Sequence, residues 1–77
     1  MGRPPKVTDK EILQEIALAR GPVVTAPEIA EALDMGGSGI NKRLDELVAD
    51  GYIKKRTVGS SAVVYWLTPD GRDAIAD

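Results

Sequence analysis

Two amphipathic helical patterns separated by a turn of only three residues constrain this chain more than any other feature. The first spans roughly residues 26–33 and the second residues 37–50. Their apolar faces are formed by Ile29, Ala30 and Leu33 in the first helix and by Ile40, Leu44, Leu47 and Val48 in the second. Two short helices joined by so tight a turn, at 34–36, are typical of a helix-turn-helix.

Two capping boxes mark where helices begin. In each box a Thr hydroxyl and a Glu carboxylate accept hydrogen bonds from exposed backbone amides of the first turn. Thr8 with Glu11 predicts the start of a helix over about residues 9–20, which the following Gly-Pro pair ends. Thr25 with Glu28 predicts the start of the next helix. The sequence therefore predicts three helices before residue 51.

Strand signals lie between and after these helices. Val23-Val24 is long enough for one short strand, and residues 53–58 and 62–67 are rich in β-forming residues. Gly59-Ser60-Ser61 joins the last two as the tip of a hairpin. Thr68 with Pro69 then begins a short final helix, since Pro is favoured in the first helical turn.

This order of elements predicts an α+β fold, a winged helix-turn-helix. It has a three-helix core with a short strand, a β-hairpin wing and a short C-terminal helix. We expect this domain to cover residues 7–77. Residues 1–6, which combine two prolines with two cations, predict a flexible basic N-terminal arm.

Composition removes most catalytic chemistry. The chain has 77 residues with no cysteine and no histidine, which excludes disulfides, thiolate zinc sites and imidazole acid–base catalysis. Its acidic residues form no calcium-loop motif. A carboxylate-only enzyme or a carboxylate metal site is the alternative that this composition leaves open. We expect no enzyme, no metal, no cofactor and no small-molecule ligand. No apolar run could span a membrane and no signal segment is evident, so a cytoplasmic location is expected.

Charge is polarised along the sequence. Ten basic and twelve acidic residues give a net charge of -2, which taken alone argues against nucleic-acid binding. Five cations nevertheless fall between positions 42 and 56: Lys42, Arg43, Lys54, Lys55 and Arg56. They follow the predicted turn, on the third helix and the first wing strand. A local basic surface is therefore expected on an acidic chain.

Residues 25–72 resemble the MarR and ArsR-like winged helix-turn-helix regulators of bacteria and archaea. The resemblance rests on PEIAEAL, INKRLDELVADGYI and YWLTPDGR in this order, and it covers about two-thirds of the chain. It implies a sequence-specific regulator of transcription that binds double-stranded DNA. The same resemblance implies a repressor acting as a homodimer on an inverted repeat, and the acidic balance is similar to archaeal, particularly haloarchaeal, relatives. The family usually has Ser or Thr where this sequence has Gly36 and Gly39.

The third helix is the expected reader of base edges in the major groove. Ser38 and Lys42 point away from its apolar stripe and Asn41 lies on the flank of that stripe. All three are near the helix N-terminus, and Asn suits adenine as Lys suits guanine. Arg43, on the flank, is expected to meet a phosphate. Its alternative is an intramolecular pair with Glu46 or Asp50 at helical spacing.

The wing is the expected contact with the DNA backbone beside the minor groove. Strand alternation sends Lys54 and Arg56 to one face and Lys55 to the other, and Ser60 and Ser61 lie at the tip. The alternative is a charged exposed strand that prevents edge aggregation.

Helix starts and the arm supply further candidate DNA contacts. Gly37 lies in the glycine-rich start of the third helix, where free amides could approach a phosphate; a soft helix start without function is the alternative. Thr25, at the start of the second helix, is also a candidate. Arg3 and Lys6 in the arm are candidates either for an A·T minor groove or for general affinity.

Two aromatic residues adjoin on the second wing strand. Because side chains alternate, one of Tyr65 and Trp66 should fill the core and the other should be exposed or covered by a partner subunit. The net acidity leaves a rival function open, since a winged helix can also serve as a protein-interaction module without DNA binding.

Overall fold

The computed structural model describes residues 7–76. Its elements, in chain order, are α1 (Asp9–Ala17), β1 (Val24–Thr25), α2 (Ala26–Leu33), α3 (Gly37–Ala49), β2 (Ile53–Val58), β3 (Ala62–Leu67) and α4 (Pro69–Ile75). The three strands form one antiparallel sheet in the order β1-β3-β2. This is the predicted winged helix-turn-helix, with the hairpin β2–β3 as its wing. No described helix has the length and apolar character needed to cross a bilayer.

Both predicted capping boxes are confirmed. At α1 the Thr8 hydroxyl accepts from the Glu11 amide at 3.1 Å, and the Glu11 carboxylate accepts from the Thr8 amide at 2.8 Å. Thr25 and Glu28 make the equivalent pair of bonds at the start of α2, at 3.4 and 2.8 Å. Local sequence therefore determines where these two helices begin.

Two predicted boundaries differ from the structure. Helix α1 ends at Ala17 and not near residue 20, because its last turn tightens: the Ala19 amide donates to Ile16 at 3.2 Å, an i→i−3 bond. The first strand is Val24–Thr25 and not Val23-Val24, because Val24 pairs with Tyr65 and Thr25 with Val64. Tertiary pairing sets the limits of the strand, whereas a local backbone hydrogen bond marks the end of the helix.

Left-handed residues end the two helices of the helix-turn-helix. Asp34, with φ of 55°, follows α2, and the Met35 amide bonds back to Ala30 at 2.8 Å. Gly51, with φ of 86°, follows α3 and gives a Schellman motif, in which the Tyr52 amide donates to Leu47 at 3.0 Å. These turns direct the chain into α3 and then into the wing.

One core holds α1, α2 and α3 against one face of the sheet. Seven of its side chains are almost fully buried: Ile12, Leu13, Ile29, Ile40, Leu44, Leu47 and Ile53. Tyr65 joins them with 5% of its surface exposed, whereas its neighbour Trp66 lies on the opposite sheet face and is half-buried. The predicted separation of the two aromatic side chains is confirmed.

Helix α4 is docked through its first turn. The Thr68 hydroxyl donates to the carbonyl of Gly51 at 2.6 Å and accepts from the Gly71 amide at 3.1 Å. Gly71 is buried, and a Cβ at this position would overlap the backbone carbonyl of Tyr52. The last helix is thereby fixed to the end of α3.

Candidate nucleic-acid interface

Helix α3 presents three polar side chains to solvent near its N-terminus. Ser38, Asn41 and Lys42 are all exposed, while the opposite side of the helix is buried in the core. Their spacing of i, i+3 and i+4 places them on one side of a helix. We call these three residues the reading face. The structure thus brings together the residues expected to contact bases.

The start of α3 carries no side-chain cap. Gly36 is the N-cap, and no side chain bonds to the first-turn amides. A Cβ at Gly36 or at Gly37 would meet nothing within 4 Å, and one at Gly39 would only touch the Met35 side chain at 4.0 Å. None of these three glycines has a positive φ. Neither packing nor backbone geometry therefore requires glycine here, and the N–H groups of the first turn lie next to the reading face.

Arg43 has a partner that its own helix does not supply. Its Nε and Nη2 donate to Oδ1 of Asp9, in the first turn of α1, at 3.1 and 2.6 Å. The sequence offers Glu46 or Asp50 as intramolecular partners of Arg43. The structure pairs Arg43 with Asp9 instead. The two partners are 34 residues apart, so no local pattern indicates them.

Lys55 is also paired. Its Nζ lies 3.6 Å from Oδ1 of Asp45, which connects the first wing strand to α3. This contact leaves 66% of the Asp45 side chain exposed. The sequence alone does not predict these two contacts of the described residues, in which the carboxylates of Asp9 and Asp45 pair with cations of the site.

Lys54 and Arg56 occupy the other face of the wing, as strand alternation predicts. Lys54 lies opposite Trp66 and Arg56 opposite Val64 in the β2–β3 register. Both cations are exposed. Within residues 7–76 neither they nor Lys42 lie within salt-bridge distance of a carboxylate. Three of the five clustered cations are therefore unpaired in this part of the chain.

The remaining candidates fall into three groups. Ser60 and Ser61 are exposed at the wing tip, after Gly59 with φ of 65°. The Thr25 hydroxyl donates to the Glu28 carboxylate within the capping box. Hydrogen bonds from Thr25, first that of its backbone amide and then that of its hydroxyl, lower the pKa of Glu28 below its ordinary value. Arg3 and Lys6 lie outside the described residues.

An apolar depression lies on the outer face of the sheet. Val23 and Val58, which are 41% and 50% exposed, line it together with Trp66. Arg56 contributes its only charged side chain among the described residues. Side chains alternate between the two faces of β2, which places Val58 on this face. This alternation is the feature of the sequence that indicates the depression.

A tight α2–α3 turn, an exposed third helix and a hairpin directly after it define a winged helix-turn-helix domain. The sequence model of the family described as winged helix-turn-helix DNA-binding matches residues 6–54. The chain belongs to this family.

Solved structures extend the comparison. A MarR family transcription regulator is 34% identical to this chain with a TM-score of 0.77, and the match covers 88% of this chain and 45% of that protein. A mutant MarR from E. coli, solved in complex with operator DNA, is 21% identical with a TM-score of 0.79, over 88% of this chain and 49% of its own. MepR, a transcription regulator of the Staphylococcus aureus multidrug efflux pump MepA, is 19% identical with a TM-score of 0.80, over 88% and 50%.

The resemblance to regulators of MarR type is confirmed, by sequence in the first of these proteins and by fold alone in the other two. The chain spans about half the length of these solved proteins. No curated protein matches the sequence. Family and fold together make this chain a DNA-binding domain of the kind found in transcription regulators.

Proposed function

We propose that this chain is a sequence-specific regulator of transcription that binds double-stranded DNA, and that it acts as a repressor. The observation that carries the proposal is the reading face, three polar side chains exposed together on α3. B-form DNA admits one α-helix into its major groove, where Asn41 can pair with adenine and Lys42 with guanine. Ser38 would contact either base type.

The N-terminus of α3 enters the groove first in this proposal. Amide groups of its first turn, including that of Gly37, would donate to a DNA phosphate, and the helix dipole favours an anion there. Asp45 and Glu46 lie about one turn further along α3 and would repel phosphates if the helix entered more deeply. These carboxylates limit insertion to the first two turns.

The wing supplies contacts that do not depend on sequence. Lys54 and Arg56 are exposed cations without an acidic partner in the described chain, and Ser60 and Ser61 can donate hydroxyl hydrogen bonds at the tip. Phosphate contacts of this kind position a protein on the duplex and supply most of its general affinity. Arg3 and Lys6 would add to that affinity from the arm.

We propose further that the functional unit is a homodimer on an inverted repeat. One domain of this size covers a small site, and two half-sites multiply specificity. The exposed apolar residues Leu18, Val23 and Val58 and the half-buried Trp66 offer surface for such contacts beside α1 and the sheet. Sedimentation of the chain at high concentration, alone and with DNA, tests this point, and a monomer in both conditions would refute it.

Selection of binding sites from random duplex DNA tests the main proposal. We expect a symmetric operator, and an affinity that falls about a thousandfold between 50 and 200 mM salt if about six phosphates are contacted. Replacing Lys42 by Ala should weaken binding to the selected site by about ten- to a hundredfold and relax specificity at the base pair that Lys42 contacts. Replacing Arg72, an exposed cation on α4, is the matched control and should leave binding unchanged.

A protein-interaction module is the second candidate function. The net charge of -2 and the apolar depression around Trp66 favour it. The same titration separates the two functions, because the absence of binding to any duplex at 50 mM salt would refute the DNA-binding proposal and favour this one. Repression is tested separately, by transcription from the selected operator with and without the chain.

A further inference from the structure

The two ion pairs of the candidate interface lie on opposite sides of α3. Arg43 and Asp45 are two residues apart, which on a helix is a rotation of about 200°. Arg43 bonds to Asp9 of α1, and Asp45 faces Lys55 of β2. The helix proposed to contact bases is therefore connected to the first helix on one side and to the wing on the other. We call these contacts the two flanking ion pairs.

The pair with α1 is the tighter of the two. Both Nε and Nη2 of Arg43 converge on one oxygen of Asp9, and only 26% of the Arg43 side chain is exposed. Asp9 lies in the first turn of α1, where the helix dipole also favours a carboxylate. A phosphate would have to compete with an anion that is already well placed.

The pair with the wing is looser but joins the two elements expected to contact DNA. Lys55 lies opposite Tyr65, on the sheet face that packs against the helices, so it points away from the face that carries Lys54 and Arg56. Its side chain is 50% exposed and that of Asp45 66%. If α3 occupied a major groove and the wing the adjacent minor groove, this contact would lie between the two elements and favour one spacing of them.

We propose, on the basis of the DNA-binding function above, that Arg43 and Lys55 are positioning residues and not phosphate contacts. They set the orientation of α3 against α1 and against the wing. Ser38 and Asn41 have short side chains, so their hydrogen bonds to bases depend on that orientation. Lys42, Lys54 and Arg56 then make the direct contacts with DNA.

Neutralising the carboxylates distinguishes the two roles. If Arg43 and Lys55 were phosphate ligands held back by Asp9 and Asp45, D9N or D45N would release them. Affinity for every duplex would rise, and the slope of log affinity against log salt would steepen by about 0.9. If they are positioning residues, each variant lowers affinity for the selected operator about two- to fivefold, the range that an exposed ion pair supports, and leaves the slope unchanged.

The cations give the complementary measurement. R43Q and K55Q should also weaken operator binding without changing the salt slope, whereas K54Q and R56Q should reduce the slope by about 0.9 each. In a double-mutant cycle, D9N combined with R43Q should cost no more operator affinity than either change alone. E46Q, which removes an exposed carboxylate of α3 outside both pairs, is the control for the loss of negative charge.

The variants of this test should all remain folded. Exposed ion pairs contribute little to stability, so the variants should retain the urea midpoint of the wild-type chain to within a small shift. A reduced salt slope in R43Q or K55Q, or a steeper one in D9N or D45N, would overturn the positioning roles while leaving DNA binding intact. Failure of the wild-type chain to bind any duplex would instead refute the proposed function, and the positioning roles with it.

Discussion

The two helices of the helix-turn-helix begin in opposite ways. Helix α2 starts with a closed capping box, in which the carboxylate of Glu28 accepts from the Thr25 amide at 2.8 Å. Helix α3 starts at Gly36, where no side chain bonds to the exposed amides. The first amides of any helix lack partners within the helix and favour an anion. Helix α2 therefore satisfies one of them with its own carboxylate, whereas α3 leaves its amides to solvent or to an external anion.

The third residue of each helix extends the comparison. It is Glu28 in α2 and Gly39 in α3, and in α4 it is Gly71. Gly71 is required by the fold, because a Cβ there would overlap the carbonyl of Tyr52. Gly36 and Gly37 have open space around them. Glycine at the start of α3 is thus compatible with a role in contacts outside the chain, while glycine in α4 serves packing.

The largest effect is expected from replacing these glycines by Ala in turn. G71A should destabilise the domain by about 3 kcal/mol or more, because the backbone of Tyr52 cannot move away without losing the docking of α4. G37A should stabilise it by about 0.5–1 kcal/mol, since Ala is favoured over Gly in a helix. Urea denaturation measures both. Similar stabilities for the two variants would contradict the distinction between the two glycine sites.

Loss of a capping box should have the next largest effect. T25A removes the hydroxyl that accepts from the Glu28 amide, and should cost about 1 kcal/mol. For a domain of this size, that lowers the melting temperature by about 4–8 °C. T25S retains the hydroxyl and is the matched control. If T25A and the wild-type chain had the same melting temperature, the capping box at the start of α2 would not contribute to stability.

The contrast between the helix starts also shows what could be predicted from sequence. Thr8 with Glu11 and Thr25 with Glu28 act over three residues, so the pattern alone locates both starts. The wing strands follow equally well from their local β-forming runs and the Gly-Ser-Ser tip. The exposure of Ser38, Asn41 and Lys42 follows from helical periodicity.

The parts that the sequence does not predict depend on distant contacts. Arg43 has acidic neighbours at helical spacing, yet it bonds to Asp9 because the packing of α1 against the other helices brings that carboxylate within 2.6 Å. Lys55 reaches Asp45 only after the wing folds back beside α3. The shift of β1 by one residue has the same origin, since its pairing with β3 sets its limits.

A carboxylate placed at the start of α3, like that of Glu28 at the start of α2, should weaken DNA binding. G36D places a carboxylate at the N-cap, which should stabilise the domain by a few tenths of a kcal/mol up to about 1 kcal/mol. The same charge would occupy the position proposed for a phosphate, so operator affinity should fall about fivefold. G36S adds a neutral cap, and is expected to keep most of the affinity. Stronger DNA binding by G36D would exclude a phosphate at this helix start.

The smallest effect expected concerns the acid dependence of the closed helix start. Hydrogen bonds from Thr25, the backbone one first, hold the pKa of Glu28 below its ordinary value. In the window between the lowered folded pKa and the ordinary unfolded pKa, the unfolded chain binds more protons than the folded one. The contribution of Glu28 to stability is therefore fully present above the unfolded pKa and is lost as the pH falls through the folded pKa.

E28Q should therefore be less stable than the wild-type chain near neutral pH, and this difference should shrink as the pH is lowered through the acid range. Urea midpoints measured from pH 6 down to about pH 3 follow it, since the amide of Gln does not titrate in this range. E46Q, which removes an exposed carboxylate of α3 outside any capping box, is the charge-matched comparison. A difference between E28Q and wild type that stayed constant with pH would show that the Thr25 hydrogen bonds do not depend on the charge of Glu28. The capping box of α2 would then stabilise the helix through hydrogen-bond geometry alone. The charge of Glu28 would no longer distinguish the start of α2 from that of α3.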